Sequence, residues 1–80
     1  MDKQIQDIIE SLNILMEDTT VPKNVKIKIE NIIIILKEEE DLSIKVNKAL
    51  HELDEIADDT NLQPFTRTQI WNVVSLLEKL

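Results

Sequence analysis

One apolar spacing occurs twice in this chain, 41 positions apart, and nothing else in the sequence restricts the fold as much. Ile5, Ile8, Ile9, Leu12, Leu15 and Met16 recur at i, i+3, i+4 and i+7, which is the mark of one buried helix face. Val46, Ala49, Leu50, Leu53, Ile56 and Ala57 repeat the pattern at that offset. The same shift carries Asp18-Thr19 onto Asp59-Thr60, Ile29 onto Ile70, Asn31 onto Asn72 and Leu36 onto Leu77. Of the 16 apolar residues from Ile5 to Leu36, 12 meet an apolar partner, where a chain that is 42% apolar would supply about seven by chance. Few of the pairs are identical, so what is repeated is a pattern of burial.

The segment after the first helix sends two conflicting signals. Val25-Lys26-Ile27-Lys28-Ile29 alternates, and Ile32 to Ile35 is a β-branched run, both of which favour a strand. Its repeat counterpart, Thr66 to Leu77, places Ile70, Val73, Val74 and Leu77 at helical spacing instead, which predicts helix for both. Pro22 and Pro64 fall near the starts of these helices, where a missing N–H costs little, with Thr20 and Asn61 as expected N-caps. Between the halves, Lys37-Glu38-Glu39-Glu40-Asp41 reads as a solvated link whose Asp41 caps the third helix. Short links make neighbouring helices antiparallel. A two-helix period near 40 also suits a solenoid, but solenoids need at least three repeats to bury a core. The prediction is therefore all-α: a four-helix up-and-down bundle built from two related helical hairpins. It forms one domain over residues 1–80, with hairpin 1 at about 2–39 and hairpin 2 at about 41–80. The acidic loops around Asp18 and Asp59 then share one end.

Composition narrows the chemistry. The net charge is −7 and the pI about 4.5, so the average field repels phosphate backbones and anionic membranes. Cysteine is absent, which removes disulfides, thiolate metal sites and thiol catalysis. Glycine is absent too, so tight left-handed turns and phosphate-cradling loops are not expected. Trp71 and Phe65 are the only aromatics, too few for a base-stacking platform. Met1-Asp2-Lys3 lacks the pattern of a signal peptide, and the longest apolar run, Ile32 to Leu36, is far short of a membrane span of about 20 residues. A cytoplasmic protein is expected.

The stretch Thr66-Arg67-Thr68-Gln69-Ile70-Trp71-Asn72, continued by Val73-Val74-Ser75-Leu76-Leu77-Glu78, resembles a small archaeal uncharacterised protein family, the UPF0147 type. Met16-Glu17-Asp18 and Val21-Pro22 fit the same family, and Pro64 departs from it by one position. The resemblance implies a compact four-helix bundle of bromodomain-like arrangement. It implies no activity and no catalytic residue, and a helix arrangement of that kind says nothing of acetyl-lysine binding.

Three clusters merit a chemical reading. His51 and Glu55 share a helix face as a two-ligand metal pair would, but no second histidine completes a zinc site, and Lys48 stands where a di-iron bundle needs Glu. A solvated or salt-bridged His51 is expected. The pairs Glu17-Asp18 and Asp58-Asp59 offer a cation-collecting end, but structural pairing explains them as well, with Lys26 and Arg67 supplying the neutralising charge. Trp71 sits at the edge of the core stripe, as a half-buried packing residue or an interface anchor.

The repeat breaks where Ile14, Val25, Ile27 and Ile34 align with Glu55, Thr66, Thr68 and Ser75. Ile27 and Ile34 point about 150° from the stripe of Val25, Ile29, Ile32 and Leu36, so one core cannot bury both sets. The expected role is a non-catalytic protein–protein interaction or assembly module. Ile14, Ile27, Ile34, Trp71 and Arg67 are its candidate contacts, and self-association or a protein partner is expected. No catalytic residue, cofactor, metal ligand or small-molecule substrate is indicated. A metal-dependent enzyme, and a nucleic-acid accessory protein resting on Lys23, Lys26 and Lys28, are the alternatives.

Overall fold

In a computed structural model, which describes residues 3–80, the chain forms four helices: α1 (Lys3–Glu17), α2 (Lys23–Lys37), α3 (Leu42–Ala57) and α4 (Pro64–Glu78). Residues 1 and 2, which hold the expected start of hairpin 1, lie outside the described residues. Each helix packs on its two ring neighbours, α1 on α2 and α4, and α3 on α2 and α4, while the diagonal pairs do not meet among the described residues. This is an up-and-down four-helix bundle. The described residues contain no strand, and none of their helices is long and apolar enough to cross a membrane.

The repeat is realised in three dimensions. A shift of 41 carries α2 onto α4 end to end, and carries buried Ile5, Ile8, Leu12 and Leu15 onto buried Val46, Ala49, Leu53 and Ile56. Val25, Ile29, Ile32, Ile33 and Leu36 likewise map onto Thr66, Ile70, Val73, Val74 and Leu77, all buried. The swap of Val25 for Thr66 is therefore a change of side chain inside one core position, and takes no part in the surplus apolar surface.

Helix α2 forms against its local propensity because burial outweighs it. Seven β-branched residues, each at most about 0.7 kcal/mol worse than alanine in a helix, cost no more than about 5 kcal/mol together. Burying the side chains of Val25, Ile29, Ile32, Ile33 and Leu36 returns roughly 1.5–3 kcal/mol each. A strand would gather Val25, Ile27 and Ile29 on one face. The helix buries the first and last and leaves Ile27 outside.

Helix ends depart in part from expectation. Asp41 caps α3 as predicted, its Oδ1 accepting the Ser43 N–H at 3.2 Å. Thr20 and Asn61 are not N-caps: Pro22 and Gln63 hold those positions, with no side-chain cap. Thr20 and Asn61 belong to the preceding turns instead, their N–H groups donating to the carboxylates of Asp18 and Asp59 two residues earlier, each at 2.8 Å, and the helices begin beyond them at Lys23 and Pro64. No described residue has a positive φ, as befits a chain without glycine. Side-chain cations serve the exposed carbonyls instead: Lys45 Nζ reaches the Leu36 carbonyl at the end of α2.

Candidate interaction surfaces

The turns after α1 and α3 are copies down to their hydrogen bonds. Asp18 N–H donates to the Leu15 carbonyl and Val21 N–H to the Asp18 carbonyl; Asp59 N–H donates to Ile56 and Leu62 N–H to Asp59 at the shifted positions. The turns share one end of the bundle, as Asn24 at the start of α2 donates to Asp59 Oδ2 at 3.4 Å. The Thr20 hydroxyl, 2.7 Å from Asp18 Oδ1, together with the Thr20 N–H, holds the Asp18 carboxyl below its usual 3.8, and Lys26 adds to the effect. Arg67 Nη2 donates to the Asp59 carbonyl at 2.7 Å, and its Nε is buried without a partner. Of the two expected neutralising cations, Arg67 bonds the Asp59 turn through its backbone carbonyl, and Lys26 acts on Asp18 through its charge alone.

His51 behaves as a surface residue. Its side chain is 76% exposed and its Nε2 lies 3.1 Å from Glu55 Oε1, while Lys28 Nζ bonds Glu55 Oε2 across from α2 at 3.1 Å. The Lys28 hydrogen bond and charge hold the Glu55 carboxyl below its usual 4.5. No group of three His, Asp or Glu side chains gathers as a metal would require among the described residues. Of the three lysines that suggest nucleic acid, Lys28 is engaged within the chain, in its ion pair with Glu55.

The two seams between the hairpins close differently. At the α2–α3 seam, Asn24–Asp59 and Lys28–Glu55 bridge the helices. The shift of 41 places Phe65 where Asn24 stands, Gln69 for Lys28, Ile14 for Glu55 and Asp18 for Asp59, so the related α1–α4 seam loses both bridges. It opens instead into a hollow of about 160 Å³ lined by Ser11, Ile14, Leu15, Asp18, Phe65 and Gln69. Ile14 is 69% exposed there and Phe65 67%. Phe65 was not among the sequence candidates. Its signal was present, since it sets an apolar residue in the second half against a polar one in the first, the reverse of the breaks at Ile27 and Ile34.

Ile27 and Ile34, 53% and 52% exposed, lie on the outward face of α2, as the spacing predicts. Trp71 is about half exposed on α4. Because α2 and α4 are diagonal, these outward faces look away from each other, and the five candidates form no single patch. Ile14 joins the α1–α4 hollow, Ile27 and Ile34 form a stripe, Trp71 stands on the opposite corner, and Arg67 belongs to a turn.

An all-helical bundle of two repeated hairpins, carrying apolar surface outside its core, is the class these observations define. The chain belongs to the uncharacterised protein family UPF0147, whose model matches residues 1–80. It is 43% identical to the UPF0147 protein MJ1419 of Methanocaldococcus jannaschii, over 86% of this chain and 75% of that one. It is 35% identical to the UPF0147 protein TK2131 of Thermococcus kodakarensis, across 100% of this chain and 99% of the relative. Among solved structures, the crystal structure of the unknown-function protein MMP1188 superposes with a TM-score of 0.91 at 38% identity, covering 96% of this chain and 89% of that one.

Proposed function

We propose that this protein is a non-catalytic assembly module that works in the cytoplasm by packing apolar surface against another protein chain. The observation that carries the reading is the pair Ile27 and Ile34, half exposed and one heptad apart on a helix whose opposite face already fills the core. Isolated exposed isoleucines are ordinary, but an aligned pair on one helix face is a second apolar surface. The titratable groups with shifted pKa support the same reading. Asp18 and Glu55 owe their shifts to a turn and an ion pair, not to a reactive cluster.

The test is association in the native cell, fixed by chemical cross-linking before purification so that a weak complex is retained. The protein and its Ile27→Thr/Ile34→Ser variant, which carries the residues that α4 has at Thr68 and Ser75, are purified side by side. The wild type is expected to hold a second chain in stoichiometric amount, its own copies included, and the variant to lose it. A wild type that comes out alone, or a variant that keeps the same chain, overturns the reading.

A further inference from the structure

The outward face of α2 carries a pattern that is complementary to its own reverse. At about 100° per residue, Lys23, Ile27 and Ile34, with Glu38 at the C-cap just past the last residue of α2, fall within about 60° of one another, opposite the buried stripe, with Glu30 and Asn31 flanking the middle. All six are exposed. In order along the helix they run cation, isoleucine, carboxylate beside amide, isoleucine, carboxylate. Reversing the stripe about the point between Glu30 and Asn31 places isoleucine on isoleucine, Lys23 on Glu38, and Glu30 on Asn31.

We propose that two copies of this chain pack α2 against α2, antiparallel, about a two-fold axis passing between Glu30 and Asn31. This rests on the assembly reading above and names its partner and its geometry. In this register Ile27 of each copy meets Ile34 of the other, and Lys23 meets the second copy's Glu38, with each contact made twice, as a two-fold requires. Charge selects the direction. A parallel pairing sets Lys23 against Lys23 and Glu38 against Glu38, whereas the antiparallel one brings the acidic link Glu38–Asp41 to the basic start of the other α2. Lys26 and Lys28, the remaining cations in the middle of α2, do not oppose the approach, because they lie about 90° and 110° to either side of the stripe, and Lys28 is bonded to Glu55. The antiparallel pair also sets the two helix dipoles head to tail. Two isoleucines per copy are a small apolar centre, so the dimer is weak, with dissociation in the micromolar range or above.

Sedimentation equilibrium of the purified protein from about 1 μM to about 1 mM tests the proposal. The wild type is expected to pass from monomer to dimer within that range. Lys23→Glu alone and Glu38→Lys alone each weaken the dimer by about threefold to tenfold, and the double swap Lys23→Glu/Glu38→Lys returns it to within about twofold of wild type. Ile27→Asp/Ile34→Asp removes the dimer. Circular dichroism checks that it is folded, and Ile27→Thr/Ile34→Ser serves in its place if it is not. A wild type that remains monomeric at the highest concentration overturns the proposal while leaving the assembly reading to its own test. A dimer abolished by the isoleucine changes but indifferent to the charge swaps, or not restored by the double swap, overturns this register alone.

Discussion

Asp18 and Asp59 show how much one side chain decides in a chain without glycine. Each turns the backbone after a helix by accepting the N–H two residues on, work that a left-handed glycine often does. Because the Asp18 carboxyl is held below its usual 3.8, chiefly by the Thr20 hydroxyl, its stabilisation is fully present above that value and is lost as pH falls through the folded pKa. Urea unfolding of the wild type and Asp18→Ala is therefore expected to differ at pH 7 and to converge as the pH falls below about 3.8. The Asp41 cap is a second such residue, and Asp41→Ala should lower stability by about 1 kcal/mol, read from the urea midpoint. Burial gives the widest contrast. Leu12, fully buried, should cost about 2–5 kcal/mol when changed to alanine, whereas Ile14→Ala, two residues on and 69% exposed, should stay within about 0.5 kcal/mol.

At the scale of elements, the two hairpins are one design with one seam altered. The α2–α3 seam is closed by an amide–carboxylate bond and an ion pair, and the α1–α4 seam has an isoleucine, a glutamine and a phenylalanine in the corresponding places. Copying the closed seam onto the open one needs three changes, Ile14→Glu, Gln69→Lys and Phe65→Asn. The triple variant is expected to remain folded and to melt no lower than wild type, with a gain of a few degrees at most, because exposed pairs contribute little. Differential scanning calorimetry reads this directly, and a large drop in Tm would show that Ile14 and Phe65 hold the seam by packing. The same comparison explains why α2 resisted a strand-like sequence. Its partner α4 displays the helical period openly, and the duplicated core demands that both elements present the same buried positions.

For the whole molecule, the core is shared so evenly that neither hairpin has one of its own. Each contributes two helices to that one core cluster, and isolated helices of 15 or 16 residues are marginal in water. Peptides 1–40 and 41–80 should therefore each show weak helicity by circular dichroism and recover it when mixed; a stable helical 1–40 alone would contradict a shared core. The periodicity and the 41-residue offset were enough to determine the helix count, the antiparallel order and nearly every buried residue, because burial on a helix face is a local property written in spacing. Spacing also placed Ile27 and Ile34 outside. What spacing does not encode is which side chain of one helix meets which of another. Thr20 reads as a cap until Asp18 takes its N–H, and the bond from Arg67 to the Asp59 carbonyl at 2.7 Å is not written in spacing. Phe65 gains meaning only beside Ile14 across the α1–α4 seam. Those contacts depend on the angle and register at which helices pack, which arise from the filled core as a whole and from no single stretch of chain.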